Sequence, residues 1–252
     1  MKALVLAAGR GKRLGVHSDE HNKCMLSLFG KPLVQYSLEN AVRAGASEIV
    51  VVVGYHASEV VTVFGTEFRG VPLVYVVQEQ PQGLVHAIEC SQEAVGDSDF
   101  MLFLADEILW NPDHVGMVKA FTTENLFVIC GVVQEPNREE IRKTYAVIEH
   151  ERDHRIYRLI EKPRKPHNDV RGTGNCIFRP RIFDYVPLTP INYFRGEKEL
   201  PDLIQCAIDD GYLVKSHPIG DHYININTPD DIASAERQYS GILVPGARGV
   251  HG

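Results

Sequence analysis

The residues best suited to chemistry stand near the amino terminus, where residues 4–15 read LVLAAGRGKRLG. An apolar run passes into two alanines, too small to block an approaching ligand, and then into closely spaced glycines, whose backbone N–H groups can converge on an anion. Three cations, Lys12, Arg13 and Lys23, lie where a polyphosphate would need them. The sequence therefore predicts a strand that ends in a phosphate-binding loop. The loop residues expected to contact the ligand are Leu6, Ala7, Ala8, Gly9 and Gly11.

Two common glycine-loop motifs fit this segment poorly. The dinucleotide fingerprint requires glycine at the position of Leu14 and an acidic residue at the end of a second strand about 20 residues later, and this sequence has neither. The P-loop requires Gly-Lys-Ser/Thr after a four-residue gap, whereas Gly11-Lys12 comes too early and precedes Arg13. A purely structural turn between a strand and a helix remains the alternative to a phosphate-binding loop.

The elements that must position this loop alternate between short β-branched runs and helix-like segments, which indicates an open α/β sheet. A helix is predicted after the loop, with Pro32 in its first turn and Gly45 at its end. A second helix, at 84–94, would open toward the carboxyl edge of the sheet, where ligands bind. The predicted strands are residues 3–6, 48–53, 73–77, 101–104 and 126–132.

The pattern changes in the second half of the chain. Residues 145–149 and 155–160 predict a hairpin, and residues 174–178 predict a further strand. The glycine-rich tail at 239–252 has no periodicity and is expected to be loosely ordered. We therefore expect one domain, residues 1–238, made of a nucleotide-binding part (1–140), an acceptor-binding lobe (141–222) and a closing helix (223–238).

Composition excludes several classes of protein. The 252 residues are 44% hydrophobic and 23% charged, which is typical of a globular domain. The net charge of −7 argues against a nucleic-acid partner. No apolar run approaches the roughly 18 residues of a membrane span, so we expect no membrane partner and a cytoplasmic location. The five cysteines lack CxxC spacing, which suits a reducing compartment and argues against a zinc site.

The amino-terminal segment also carries a family resemblance. The LAAGxGxRL pattern of residues 6–14, followed by Lys23 and by Gly30-Lys31-Pro32-Leu33, resembles the signature of the sugar nucleotidyltransferases, the nucleoside-diphosphate-sugar pyrophosphorylases. Similar pieces follow in the family's order to residue 236. The resemblance implies a Rossmann-like open mixed sheet with a small sugar-binding lobe. It also implies an enzyme that joins an NTP to a sugar 1-phosphate and releases pyrophosphate.

Residues 78–87, QEQPQGLVHA, are similar to the family's base-recognition segment. The resemblance implies that Gln78 and Gly83 contact a pyrimidine edge. An amide can both donate and accept hydrogen bonds, and a residue without a side chain lets the base lie against the backbone. A turn that merely starts a helix is the alternative.

The resemblance also implies which side chains bind phosphates. Arg13 would bind the β- and γ-phosphates of the nucleotide, and Lys23 the α-phosphate. Residues 160–163, IEKP, match the family's Glu-Lys-Pro, in which Glu161 accepts hydrogen bonds from sugar hydroxyls and Lys162 pairs with the phosphate of the acceptor. An ion pair at the end of a strand is the alternative for these last two residues.

A Mg²⁺ site is implied at two strand ends. The apolar residues 100–105 run into Asp106, which in the family holds Mg²⁺; Glu107 beside it is given no role. Residues 223–231, YININTPDD, correspond to the family's Trp-x-Asp-Ile-Gly-Thr-Pro-Glu-Asp. Asn225 thus stands in the position of a second metal-binding aspartate. Because an amide brings no charge, the metal should bind weakly until the phosphates of the nucleotide arrive.

Two departures concern the acceptor lobe. Tyr145-Ala146 stands where relatives have Tyr-Gly, so that a methyl group would intrude on the sugar. Gly172 falls where some relatives that use N-acetylhexosamines carry Asn. Both departures argue against the common hexose phosphates. The acceptor-binding residues implied here are Tyr145, Ala146 and Gly174, together with Glu161.

The implied reaction needs no general base, because the attacking phosphate of the acceptor is already ionised at neutral pH. Two other functions remain open. One is transfer from CTP to a polyol, cyclitol or choline-type phosphate, and the other is a sensor that binds a nucleotide without catalysis. The expected partners are an NTP and a small phosphorylated acceptor, and a homo-oligomer is possible. The sequence does not choose among dTTP, UTP and CTP.

Overall fold

The structure is a computed structural model that describes residues 1–9 and 22–239. The predictions for Gly11, Lys12, Arg13 and the tail from residue 240 lie outside these residues. The strands are β1 (Lys2–Ala7), β2 (Ser27–Leu28), β3 (Lys31–Pro32), β4 (Ile49–Val53), β5 (Glu67–Phe68), β6 (Val71–Val77), β7 (Phe100–Leu104), β8 (Glu107–Trp110), β9 (Val128–Gln134), β10 (Tyr145–Glu149), β11 (Ile156–Glu161), β12 (Val170–Phe178), β13 (Val214–Pro218) and β14 (His222–Asn225).

Helices lie between most of these strands. None of the helices in the described part of the chain has both the length and the apolar character that a bilayer crossing requires. The α-helices are α1 (Leu33–Arg43), α2 (Ala57–Phe64), α3 (Leu84–Cys90), α4 (Gln92–Val95), α5 (His114–Thr123), α6 (Arg138–Ile141), α7 (Leu200–Asp209) and α8 (Pro229–Tyr239). Short 3₁₀ helices cover Lys23–Met25 and Pro180–Tyr185.

One large mixed sheet forms the centre of the molecule, as predicted. Its main path runs β11-β10-β12-β7-β1-β4-β6-β5, and β9 joins it through β12 and carries β13. Strands β7, β1, β4 and β6 are parallel, whereas β10, β11 and β12 pair antiparallel. A hairpin of β10 and β11 is confirmed at residues 145–161.

Strands β4 and β7 are apolar throughout because helices cover both faces of the sheet. All five residues of Ile49–Val53 are buried. Side chains alternate between two cores, so that Leu4 packs in one and Val5 in the other. A third apolar cluster, which includes Trp110, holds helix α8 beside β8. This packing fixes the carboxyl ends of β1, β4, β6 and β7 at one edge of the sheet.

Three elements differ from the sequence prediction. The closing helix expected over residues 223–238 begins only at Pro229, because the chain before it forms strand β14 and pairs with β8. The helix predicted over residues 84–94 is divided at Ser91, whose Oγ donates to the carbonyl of Ile88 at 2.6 Å. A hydroxyl that bonds the preceding turn competes with the helical ladder and allows the bend. Strand β13, inside the segment assigned to the acceptor lobe, pairs with β9 of the large sheet.

Candidate functional site

A cavity of about 430 Å³ opens at the carboxyl edge of β1, β6 and β7. Parallel strands end at the same edge, so residues distant in sequence meet there. We call this space the donor cavity, because it collects the described residues that were predicted to bind nucleotide or metal on this side. They are Leu6, Ala7, Ala8, Gly9, Lys23, Gln78, Gly83 and Asp106.

The side chain of Gln78 is held in one orientation at the donor cavity. Its Nε2 donates to the carbonyl of Gly83 at 3.1 Å and lies 2.9 Å from Nδ1 of His86. A carbonyl only accepts, so the amide nitrogen must face Gly83, and the amide oxygen is left for a ligand. Gly83 has φ +96°, and a Cβ there would lie 2.5 Å from Oε2 of Glu197. The positive φ and the closeness of Glu197 both favour glycine at this position.

Lys23 is the buried cation of the donor cavity. Its Nζ lies 2.6 Å from Oδ2 of Asp106, and 8% of the residue is exposed. Asn22 begins the 3₁₀ turn that carries Lys23: its Oδ1 accepts from the backbone N–H of Cys24 at 3.0 Å, and its Nδ2 donates to the carbonyl of Tyr55 at 3.0 Å. The turn that carries Lys23 is therefore anchored to the loop that follows β4.

The two predicted metal ligands, Asp106 and Asn225, lie on adjacent segments. Asn225 pairs with Glu107 in the β8–β14 ladder, and the backbone N–H of Ile226 donates to the carbonyl of Asp106 at 2.8 Å. Within the described ranges, no three His, Cys, Asp or Glu side chains are grouped as a protein-only metal site would require. One carboxylate with amide oxygens suits Mg²⁺, which keeps waters and phosphate oxygens around it.

A second cavity, of about 1030 Å³, adjoins the first, and Leu84, Leu104, Arg195 and Glu197 line both. We call it the acceptor cavity. Of the predicted acceptor and metal residues, Tyr145, Glu161, Lys162, Gly174 and Asn225 line it. Ala146 is 2% exposed and lines neither of these two cavities, so its methyl group does not reach them.

Arg195 joins the carboxylates on one wall of the acceptor cavity. Its guanidinium pairs with Glu197, with Glu161 at 3.4 Å and with Glu199 at 3.1 Å. Burial raises the pKa of Glu161 to about 7, against the lowering effect of Arg195. Burial and the neighbouring Glu161 raise the pKa of Glu199 to about 7. The single guanidinium of Arg195 therefore does not offset the burial of these carboxylates and the repulsion among Glu161, Glu197 and Glu199.

The raised pKa of Glu199 predicts a pH-dependent stability. The folded value of about 7 lies above the ordinary 4.5, so the native state holds this proton more tightly, and the free energy of unfolding falls as pH rises between the two values. Glu199→Gln replaces the titrating carboxyl with an amide and also removes the charge repulsion between residue 199 and Glu161. We expect the melting temperature of this variant to fall less than that of wild type between about pH 5 and pH 7. Glu139→Gln, at an exposed ion pair, is the control, and an unchanged slope in Glu199→Gln would contradict the prediction.

Glu107 is a buried residue to which the sequence analysis gave no role. Its carboxylate accepts from the backbone N–H of Gly174 at 2.9 Å, from the Tyr223 hydroxyl at 2.6 Å and from Nδ2 of Asn175 at 3.0 Å. It therefore ties β12 to β14, the strand that carries Asn225. The only sign of Glu107 in the sequence was that it is a second carboxylate at the end of a strand. Nothing in the sequence pointed to Arg195, because this residue lies in a loop without periodicity.

The chain also matches the model of a known protein family. The family model described as Nucleotidyl transferase matches residues 2–240. The chain belongs to this family. The resemblance in the amino-terminal signature is thereby confirmed, as is the predicted enzyme class, nucleotidyltransferase.

Curated members of the nucleotidyl transferase family cover nearly the whole chain. The UTP–glucose-1-phosphate uridylyltransferase AglF of Haloferax volcanii is 33% identical over 239 residues, which is 94% of this chain and 96% of the relative. The low-salt glycan biosynthesis nucleotidyltransferase Agl11 of the same organism is 30% identical over 240 residues. The match spans 94% of this chain but 65% of Agl11.

Solved structures show the same fold. A UDP-glucose pyrophosphorylase complexed with UDP-glucose superposes with a TM-score of 0.86 at 22% identity, over 95% of this chain and 98% of that one. The UTP-bound enzyme from Acinetobacter baumannii gives a TM-score of 0.81 at 20% identity, over 94% and 92% of the two chains. The predicted fold, a mixed sheet of the nucleotide-diphospho-sugar transferase type, is confirmed.

Proposed function

We propose that this protein is a Mg²⁺-dependent nucleotidyltransferase that joins a pyrimidine NTP to a sugar 1-phosphate, giving an NDP-sugar and pyrophosphate. The observation that carries the proposal is the junction of the donor and acceptor cavities, with Lys23 and Asp106 on one side and Glu161 and Lys162 on the other. The name of the uridylyltransferase AglF supports the substrate class.

In the proposed reaction, an oxygen of the acceptor phosphate forms a bond to the α-phosphorus of the NTP. The bond from that phosphorus to the bridging oxygen of the β-phosphate breaks, and its electron pair leaves with pyrophosphate. No side chain has to remove a proton, because the attacking oxygen is already ionised. The protein holds two anions in line and spreads the developing charge.

Each side chain has a distinct task in this proposal. Lys23 binds the α-phosphate, and Arg13, outside the described residues, binds the β- and γ-phosphates. Lys162 binds the acceptor phosphate, and Glu161 orients the sugar through its hydroxyls. Mg²⁺, when bound near Asp106, would neutralise phosphate charge.

One observation favours a second acceptor class. The acceptor cavity is lined by more acidic than basic side chains, although the acceptor is itself an anion. An acceptor that carries a cationic group, such as a choline-type phosphate, would relieve this imbalance. The acidic residues are Glu107, Glu135, Glu140, Glu161, Glu197, Glu199, Asp221 and Asp231, and the basic ones are Lys143, Lys162, Arg171 and Arg195.

Pyrophosphate release, measured with each NTP against a panel of sugar 1-phosphates, polyol phosphates and phosphocholine, tests the proposal. We expect release that requires an NTP, one sugar 1-phosphate and Mg²⁺ together, because only the complete pair brings the reacting phosphates into line. Release that requires an NTP and phosphocholine, and that no sugar 1-phosphate supports, would favour the second acceptor class. Nucleotide binding by calorimetry without release from any pair would contradict transfer and favour a sensor.

A further inference from the structure

Lys23 is contacted by oxygens from two separate segments. Besides Asp106 Oδ2 at 2.6 Å, its Nζ lies 3.4 Å from Oδ1 of Asn227. An ammonium group only donates hydrogen bonds, so the atom of Asn227 that faces it must be the amide oxygen. A carboxylate oxygen and an amide oxygen thus converge on one cation in the free protein.

The contact between Asn227 and Lys23 determines which atom of Asn227 meets the side chain of Asn225. With its oxygen toward Lys23, Asn227 turns its Nδ2 toward Asn225, where Nδ2 donates to Oδ1 at 2.8 Å. Since Nδ2 only donates, the atom of Asn225 that meets it must be the oxygen. The amide oxygen of Asn225 is therefore engaged by Asn227, whereas that of Asn227 faces the cation.

The backbone holds Asn227 in this position. Its N–H donates to Oδ2 of Asp231 at 2.8 Å, and the N–H of Thr228 donates to the same oxygen at 2.8 Å. The preceding N–H, of Ile226, is bonded to the carbonyl of Asp106 at 2.8 Å. Asn227 is therefore fixed beside Asp106 by three backbone bonds, although the similar family segment has glycine at this position.

We propose that Asp106 and Asn227 supply the protein oxygens of the cation position, that Lys23 occupies this position in the free protein, and that Asn225 orients Asn227 instead of binding the metal. The inference rests on the proposed function for the identity of the ion. A metal held by Asp106 and Asn227 would take the place of the Lys23 ammonium, which would then be available to the α-phosphate. Free divalent ions should bind the nucleotide-free protein weakly, because they must displace a buried ion pair.

Mn²⁺ binding to the nucleotide-free protein, followed by the EPR signal of the unbound ion, tests the assignment without turnover. Lys23→Met removes the competing ammonium and should tighten Mn²⁺ at least about tenfold. In that background, Asn227→Asp should tighten it about tenfold more, because a ligand oxygen gains charge. Asn225→Asp should tighten Mn²⁺ binding less than about threefold, because a charge that is near the ion but does not contact it is screened by solvent.

Asn40→Asp, the same change on helix α1 outside both cavities, controls for added charge, and thermal melting confirms that each variant is folded. Equal tightening by the two aspartates, a larger effect from Asn225→Asp, or no effect from Asn227→Asp would overturn the assignment. Because the measurement uses neither nucleotide nor acceptor, it can fail while pyrophosphate release succeeds, and the reverse.

Discussion

Replacement of Lys23 by alanine is expected to lower kcat about 100- to 1,000-fold, the effect of losing one preorganised electrostatic donor. The residue is 8% exposed and lies at the donor cavity, so its charge acts where solvent screens it little. The loss should appear mainly in kcat, because the charge that Lys23 stabilises grows as the α-phosphorus passes from one oxygen to another.

The measurement is steady-state pyrophosphate release by the variant, with the substrate pair that the wild type uses. Lys119→Ala, which removes an exposed lysine from helix α5, is the matched control and should retain wild-type turnover. Lys23→Arg keeps the charge and should recover part of the rate. Turnover of Lys23→Ala within a few-fold of wild type, in a folded protein, would remove Lys23 from the mechanism.

The positions of Lys23 and Asp106 at the donor cavity could be predicted from the sequence. Asp106 follows an unbroken apolar strand, and parallel strands bring their carboxyl ends together. Lys23 belongs to a recognisable signature. Their direct contact at 2.6 Å was not predictable, since it joins segments 83 residues apart along the chain.

Asn227 and Gly172 show what the sequence alone could not supply. The sequence analysis assigned the metal to Asn225 from its family position. The proposal that Asn227 holds the metal rests on the orientation of two amides, which depends on the donors and acceptors around them and is not visible in a sequence. Gly172 was interpreted as a missing side chain at the acceptor. In the structure Gly172 lines the acceptor cavity and also packs against the ring of Tyr145, a cross-strand neighbour 27 residues earlier in the sequence.

Gly172→Ala is expected to destabilise the protein by about 3 kcal/mol. Gly172 pairs with Tyr145 across β12 and β10, and a Cβ at this position would lie 1.9 Å from a carbon of the tyrosine ring. The ring is buried, and its hydroxyl donates to the carbonyl of Thr173 at 2.6 Å. Space for the methyl group requires the ring to move and the hydrogen bond to break.

The same displacement should raise the KM for the acceptor, because Tyr145 lines the acceptor cavity, and leave the KM for the NTP unchanged. Thermal and urea unfolding measure the stability, and a double-mutant cycle with Tyr145→Ala isolates the contact. If the ring is the obstacle, Gly172→Ala should cost little once the ring is gone, a coupling of about 2 kcal/mol. If Gly172→Ala costs the same free energy of unfolding in the wild type and in Tyr145→Ala, the glycine is required for its backbone conformation and not to leave space for the tyrosine ring. A coupling of the expected size would mean that the position of the Tyr145 ring in this protein leaves no room for a side chain at residue 172, so that packing between β10 and β12 restricts this part of the acceptor cavity to glycine.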